Sequence, residues 1–142
     1  MISSNKDAAK QIGRLSNKLR RKLNMLSSKK EFSGSQGRTL HFLLAQTDDI
    51  FQKDIEEEYG IRPSTATELL KQMEQNGLIT REPAAYDNRL KKIVLTDKAL
   101  IYQKQVKEDL SELEKKLTQN ISASDLTVFL KVTEQMIRNL SE

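Results

Sequence analysis

The chain has 142 residues, with 24 Lys and Arg against 20 Asp and Glu, one His, and no Cys or Trp. Its length predicts one domain of ordinary size. Without Cys there are no disulfides, thiolate nucleophiles or cysteine zinc sites, and one imidazole excludes a His-rich metal site. No apolar run reaches the ~18 residues of a membrane span, and the first residues lack the order of a signal peptide. We therefore expect a soluble, cytoplasmic protein that is not an enzyme, has no cofactor and has no membrane partner.

The excess of positive charge lies in the N-terminal part of the chain. Residues 1–31 contain nine Lys and Arg against two acids, whereas residues 32–142 contain fifteen against eighteen. A small positive net charge is compatible with nucleic acid, but a solvated helix face gives the same count. Local patterns therefore have to identify the partner.

The first predicted element is an amphipathic helix of about 20 residues that begins near Ala8. Its apolar stripe consists of Ile12, Leu15, Leu19, Leu23 and Leu26. Such a helix either packs on the body of its own chain or pairs with a second subunit, and the pattern leaves both open. Residues 27–35 are typical of a loop, and Ser35 is predicted to cap a second helix that carries Leu40, Leu43 and Leu44 and ends by Gln46.

Two helices joined by a short turn are predicted between residues 50 and 77. Residues 52–59 suit a short helix, and Gly60 supplies a left-handed residue to end it. Pro63 stands where proline is best tolerated, in the first turn of the next helix. That helix has a buried stripe and a stop signal at Asn76 and Gly77. This order indicates a helix-turn-helix.

The next segments have strand propensity. Residues 78–82 and 90–95 are β-favouring, and residues 83–89 between them are polar and turn-prone. A two-stranded ribbon after a helix-turn-helix predicts a winged helix. Thr96 or Asp97 is then expected to cap a long helical region with apolar residues at helical spacing, and a break at residues 120–124 precedes a last helix.

The second helix of the helix-turn-helix opens with side chains that suit a DNA-reading helix. Such a helix enters the major groove by its N-terminal end, so short hydrogen-bonding side chains belong there. The helix before it crosses the DNA backbone by its own N-terminal end, which leaves its three consecutive glutamates pointing outward. The alternative is that the Ser and Thr are only caps on a solvated face. The predicted contacts on these two helices are Gln52, Lys53, Arg62, Ser64, Thr65, Thr67, Glu68 and Lys71.

The ribbon tip is the second predicted DNA contact. Asp87 and Arg89 face the same side of an extended strand, so the carboxylate can brace a guanidinium that enters the minor groove. Neighbouring lysines add charge for phosphates. The alternative is an edge ribbon that its lysines keep soluble. The predicted contacts are Asp87, Asn88, Arg89, Lys91 and Lys92.

Residues 69–78, the pattern Asp87-x-Arg89 and the following Ile93-x-Leu95-Thr96 resemble the core of the multiple-antibiotic-resistance regulator (MarR) family. The resemblance implies a mostly α fold with a small β-wing, in which a winged helix-turn-helix at residues 35–96 is flanked by dimerisation helices at residues 1–31 and 97–142. It also implies a homodimer that binds a pseudo-palindromic operator and often releases it when a small effector binds. One departure is Ala99, where the family usually has Gly; this change favours helix and leaves the fold in place.

The dimer is also suggested by two terminal leucine stripes that have no evident partner inside one small winged helix. The residues expected at that interface are Ile12, Leu15, Leu19, Leu117, Leu126, Phe129, Leu130, Met136, Ile137 and Leu140. An effector cleft is expected where the second helix faces the first helix and the start of the C-terminal region, although apolar residues at helical spacing also form ordinary core. Its predicted lining is Leu15, Leu19, His41, Leu44, Tyr102 and Val106.

His41 lies where zinc-sensing relatives place histidines, but one imidazole without Cys suits zinc poorly, and we expect no metal. The sequence thus predicts a homodimeric, sequence-specific DNA-binding regulator, with a repressor favoured over an activator. The rival hypothesis is a winged-helix module that contacts protein or RNA. Catalysis is disfavoured because the carboxylate pairs lie beside no His or phosphate-binding loop.

Overall fold

The structure, a computed structural model, describes residues 7–26 and 32–141. Two antiparallel strands form the one sheet of these residues, so the predicted mostly α fold with a small wing is confirmed. Within the described ranges, no helix is both long and apolar enough to cross a membrane. In chain order the elements are α1 Ala8–Leu26, α2 Gly34–Leu44, α3 Gln52–Tyr59, α4 Pro63–Gln75, β1 Ile79–Ala84, β2 Asp87–Leu95, α5 Asp97–Ile101, α6 Gln103–Leu117 and α7 Ala123–Leu140.

The chain divides into two compact units, one up to Leu110 and one from Ser111. The first unit holds a closed apolar core that draws on α2, α3, α4 and the sheet, with Leu40, Ile55 and Leu70 fully buried. Burying each such side chain contributes roughly 1.5–3 kcal/mol. Ala99 and Val106 belong to the same core, so the beginning of the predicted region 97–142 packs with the winged helix.

The local signals of the helix-turn-helix are confirmed. Gly60 ends α3 at φ +59°, in the left-handed region, and Pro63 is the first residue of α4. Asn76 ends α4, and Gly77 follows at φ +73°. Because glycine adopts these angles without a steric cost, both turns are fixed by the sequence itself.

Helix α2 begins earlier than predicted. Its N-cap is Ser33, whose hydroxyl accepts a hydrogen bond from the Gln36 N–H at 3.4 Å, so the prediction that Ser35 is the cap was wrong. Gly34, a residue type that is common in loops, is helical here and lies against Leu23 of α1. A Cβ at this position would lie 2.7 Å from the Cβ of Leu23, so only glycine allows this approach. The helix ends at Leu44, two residues before the predicted end.

The wing is longer than predicted, because most of the expected loop continues the strands. The turn is reduced to residues 85–86, and Pro83 lies within β1, where a two-stranded sheet tolerates proline at its edge. Pro83 is opposite Lys91, whereas Ala84 is opposite Asp87, so residues 88–90 form a bulge. The Ile93 N–H also donates to the Ile50 carbonyl at 2.7 Å, which attaches the wing to the segment before α3.

The second unit contains the end of α6 and α7. The hydroxyl of Ser122 accepts from the Asp125 N–H at 3.1 Å and so caps α7, in agreement with the predicted break. No residue of α7 is buried in the chain by itself. Phe129, Leu130 and Ile137 are 47%, 58% and 58% exposed, respectively.

Candidate nucleic-acid interface

Helix α4 has one buried face and one exposed polar face. Ala66, Leu70 and Met73 are completely buried and fix the rotation of the helix about its axis. The opposite face and the preceding residue expose five of the predicted contacts to solvent. These are Arg62, Ser64, Thr65, Glu68 and Lys71.

Two of the predicted DNA contacts are hydrogen-bonded across α3 and α4. The Gln52 side-chain amide donates to the Thr67 hydroxyl at 2.9 Å and to the Pro63 carbonyl at 3.2 Å. The Thr67 hydroxyl itself donates to the Pro63 carbonyl at 2.8 Å. These bonds fix the angle between the two helices. Lys53, at the same end of α3, is well exposed and lies 3.9 Å from the Glu57 carboxylate.

A buried polar contact connects α4 to α2 through residues that no sequence pattern indicated. Gln36 is only 4% exposed, and its carbonyl oxygen accepts from the Asn76 side-chain amide at 2.8 Å. Its amide nitrogen lies 3.5 Å from the Gln72 oxygen, at the long limit of a hydrogen bond. The Gln72 amide in turn donates to the Glu68 carboxylate at 3.2 Å. One chain of polar groups thus connects α2 with the exposed end of α4.

The wing holds an arginine in place by a carboxylate two residues away. The Asp87 Oδ1 accepts from the Arg89 backbone N–H at 2.9 Å and from its Nε at 3.2 Å, and Oδ2 accepts from the guanidinium at 3.2 Å. The Arg89 side-chain bonds, and then the backbone bond, lower the pKa of Asp87 below its usual value. The Arg89 side chain remains 91% exposed. The expected contact between Asp87 and Arg89 is therefore present. It forms through a local turn within the bulge, and not because alternate residues of a regular strand share one face.

The other predicted wing contacts flank this pair. Asn88 and Lys91 are exposed and Lys92 is half-buried. The wing is attached to α4 by an ion pair in which Arg81 Nε lies 3.1 Å from the Glu74 carboxylate. The Thr96 hydroxyl donates to the Gly77 carbonyl at 2.5 Å, so the far end of the ribbon is fixed to the end of α4 as well.

An open cavity of about 630 Å³ lies between α2 and α4. Its lining combines three predicted reading residues, Ser64, Thr65 and Glu68, with Arg38 and Tyr59, which the sequence did not indicate. The Tyr59 hydroxyl donates to the Arg38 carbonyl at 3.0 Å, and the Arg38 guanidinium carbon lies 5.5 Å from the Tyr59 ring centroid. Burial raises the pKa of Tyr59 above its usual value.

The residues predicted for an effector cleft differ in their exposure and contacts. Leu15 and His41 are exposed, while Tyr102 packs edge-to-face on Phe32 with ring centroids 5.0 Å apart. A second, smaller cavity is lined by Val106 but by none of the other five predicted residues. Among the described residues, no group of three or more His, Asp or Glu side chains is placed to hold a metal ion.

Comparison with known proteins gives consistent matches. Residues 31–90 match a family model described as the MarR family. The curated HTH-type transcriptional regulator YdgJ of Bacillus subtilis (strain 168) is 28% identical over 99 residues, which cover 70% of this chain and 60% of the relative. The match therefore spans less than two thirds of that relative's length.

Solved structures extend the likeness to nearly the whole chain. S. aureus MepR in complex with DNA matches with a TM-score of 0.87 at 24% identity and covers 98% of this chain and 100% of that one. S. aureus MepR in its DNA-binding conformation has a TM-score of 0.81 at 25% identity, with 94% and 98% covered. The family model, which matches less than half of the chain, the curated relative and the order of helices and wing agree that the chain is similar to MarR-family regulators.

Proposed function

We propose that the chain is a homodimeric, sequence-specific DNA-binding transcription regulator that acts as a repressor and is released by a small-molecule effector. The observation that carries the proposal is the pairing of two exposed features on one winged helix. These are the polar N-terminal end of α4 and the carboxylate-braced Arg89 of the wing. Two related structures support the same use of the fold, since S. aureus MepR is described in complex with DNA and in a DNA-binding conformation.

In this proposal α4 reads the major groove. Thr65 and Glu68 are one turn apart or less on the exposed face, where a hydroxyl and a carboxylate can meet the donors and acceptors of base edges. Arg62 and Lys71 contact phosphates on either side. Gln52 and Thr67 act mainly by holding α4 at its angle to α3, because their polar atoms already bond to each other.

The wing is proposed to enter the minor groove with Arg89. The Asp87 carboxylate limits the rotamers of the guanidinium before DNA binds, which lowers the entropy lost on binding. A narrow minor groove attracts an inserted arginine by its negative potential. Asn88, Lys91 and Lys92 are proposed to contact the adjoining sugar–phosphate backbone.

A homodimer would cover the apolar side chains that α1 and α7 leave exposed. Ile12 and Leu15 are 51% and 42% exposed on α1, and Leu140 on α7 is 89% exposed. Apolar side chains that recur along one helix face and remain exposed are typical of an interaction surface. A two-fold dimer presents two reading helices to two half-sites of a palindromic operator.

Repression and effector release rest on the similarity of the chain to the MarR family. A bound regulator represses when it occupies a promoter, and an effector releases it by favouring a dimer in which the two reading helices no longer match the half-site spacing. The predicted cleft residues, Leu15, Leu19, His41, Leu44, Tyr102 and Val106, remain our proposal for that effector. Release is tested by adding small phenolic and anionic compounds to the DNA complex.

The experiment that tests the function is selection of fragments of the source genome by the purified full chain, followed by titration of the selected and a random-sequence duplex. We expect a shared pseudo-palindromic sequence and tighter binding to the selected duplex. Thr65→Ala is expected to reduce this preference by about 1–3 kcal/mol. Lys91→Ala should weaken binding to both duplexes and reduce the salt slope by about one.

No enrichment of any DNA fragment would contradict the proposal and favour the module that contacts protein or RNA. Lys91→Ala alone could alter the preference for the selected duplex, while Thr65→Ala weakened binding to both duplexes equally. In that case the base-reading role of Thr65 and the phosphate-binding role of Lys91 would have to be exchanged. Sedimentation of the wild-type chain at micromolar concentration tests the dimer separately. A 16.3 kDa monomer alone would contradict the dimer.

A further inference from the structure

We propose that the cavity between α2 and α4 binds one phosphate of the DNA backbone and that Arg38 is the side chain that holds it. This inference rests on the proposed function and extends the interface to α2, an element to which the sequence assigned no DNA contact. Arg38 would position the end of α4 against the duplex by fixing the neighbouring backbone.

The lining of the cavity has the chemistry of a phosphate contact. Ser35 on α2 and Ser64 on α4 bring exposed hydroxyls to the same cavity. Short hydroxyls and arginine are the groups that proteins commonly use to bind DNA phosphates. Thr39 also lines the cavity, but its hydroxyl already donates to the Ser35 carbonyl at 2.9 Å. It therefore shapes the cavity wall.

Arg38 is held in place while its charge remains available. The Tyr59 hydroxyl donates to its carbonyl at 3.0 Å, and the aromatic ring lies beside the guanidinium at 5.5 Å. An aromatic ring engages the face of a guanidinium and leaves the N–H groups at its edge for oxygen acceptors. Across the described residues, no carboxylate forms an ion pair with Arg38. The planar fork of donors is therefore suited to two phosphate oxygens.

The surroundings favour a phosphate of duplex DNA over a free anion. The cavity is open, and the Glu68 carboxylate in its lining repels a small dianion. Duplex DNA can offset this repulsion, because amino groups on its base edges can donate to the Glu68 carboxylate while a backbone phosphate enters the cavity. Thr65 and Glu68, the two α4 residues that we propose to face base edges, also line this cavity, so a duplex seated on them brings its backbone towards α2.

The test compares Arg38→Gln with Lys104→Gln, which removes the same charge from an exposed position on α6 outside the proposed interface. Full-length proteins are titrated with a fluorescent, mixed-sequence duplex of about 30 base pairs between about 50 and 200 mM salt. Loss of one phosphate contact should reduce the salt slope by about 0.9, which corresponds to about eightfold weaker binding at 0.1 M salt. Lys104→Gln should leave both quantities close to those of the wild type.

A third variant separates charge from folding. Arg38→Lys keeps the charge but not the fork, so we expect it to retain the salt slope while binding more weakly than the wild type. Thermal melts of all three variants identify any loss of fold. If Arg38→Gln is misfolded, an Arg38→Lys variant that is folded and binds as tightly as the wild type would overturn the inference.

The remaining outcomes distinguish the inference from the proposed function. Equal slopes for Arg38→Gln and Lys104→Gln, with a wild type that binds DNA, would overturn the inference alone. A wild type that binds no duplex at about 50 mM salt would contradict both the inference and the proposed function. The last measurement is the thermal stability of the wild type and of Arg38→Gln in inorganic phosphate at matched ionic strength. If phosphate stabilises the wild type but not Arg38→Gln against heating, and both bind the duplex equally, the cavity takes free anions instead of DNA.

Discussion

The winged-helix core and helix α7 use apolar residues in opposite ways. In the core, Leu40, Leu70 and Leu78 are completely buried by other parts of the same chain. In α7 the apolar residues are as regularly spaced, yet Leu130 and Ile137 are both 58% exposed. Helical spacing of leucines therefore predicts an apolar face but does not reveal whether the same chain covers it.

This difference makes matched substitutions informative. A leucine in a closed core contributes to the folding of its own chain, whereas an exposed leucine contributes only when a second surface covers it. Leu70 and Leu130 are the same residue type in α-helices of the two regions. Their replacement by alanine should therefore give effects that differ in their dependence on protein concentration.

The largest effect is expected for Leu70→Ala. Leu70 is completely buried between α4 and the rest of the core, so its truncation removes apolar contacts and leaves a cavity. We expect a loss of about 2–5 kcal/mol in the free energy of unfolding, measured by urea denaturation. The loss should be the same at every protein concentration. A loss that varied strongly with concentration would place Leu70 at an interface and contradict the closed core.

Leu130→Ala should act on association instead. We expect the dimer dissociation constant, measured by sedimentation equilibrium, to rise about tenfold or more, because an interface leucine contributes about 1.5–3 kcal/mol when buried. In the monomer its truncation should change stability by less than about 0.5 kcal/mol. An unchanged dissociation constant, with a dimeric wild type, would show that this face of α7 is not the interface.

Local signals explain how much of the fold was predictable. Gly60, Pro63 and Gly77 act through their own backbone preferences, so the helix-turn-helix could be located from the sequence with the right boundaries. The role of Gly34 depends instead on the approach of Leu23 from another helix. No local pattern contains that information, and the start of α2 was therefore misplaced.

The candidate site shows the same limit. The exposed residues of α4 and the Asp87–Arg89 pair follow from short-range patterns, whereas the three-residue bulge around Arg89 depends on the register between two strands. Arg38 and Gln36 were missed for a related reason. Their partners, Tyr59 and Asn76, are 21 and 40 residues away along the chain. Only the packing of α2 on the helix-turn-helix brings them together.

Gln36→Leu should have a smaller effect than the core truncation. The substitution keeps the side chain buried but removes the acceptor of the Asn76 amide, so we expect a loss of about 1–3 kcal/mol in the free energy of unfolding. Because the same network reaches Glu68 through Gln72, preference for the selected duplex should also decline. Gln46→Leu, at an exposed position after α2, is the control and should stay within about 0.5 kcal/mol. Equal stability of the two variants would show that the hydrogen bonds of Gln36 do not stabilise the packing of α4 on α2.

The smallest effect is expected for Tyr59→Phe, which removes the bond from the hydroxyl to the Arg38 carbonyl. Near neutral pH we expect a loss of about 0.5–1.5 kcal/mol in the free energy of unfolding. Burial raises the pKa of Tyr59 in the folded state, so the folded chain keeps its proton to higher pH than the unfolded chain does. This contribution is complete below the unfolded pKa of about 10 and is lost as pH rises through the folded pKa.

The difference in unfolding free energy between the wild type and Tyr59→Phe should therefore shrink as pH rises above about 10, when urea denaturation is repeated at several alkaline values. Tyr86→Phe is the matched control, since Tyr86 is 70% exposed at the turn of the wing. Its difference from the wild type should stay near zero throughout. A Tyr59→Phe difference that grew with pH would mean that the folded chain stabilises the tyrosinate, with the nearby Arg38 charge outweighing burial.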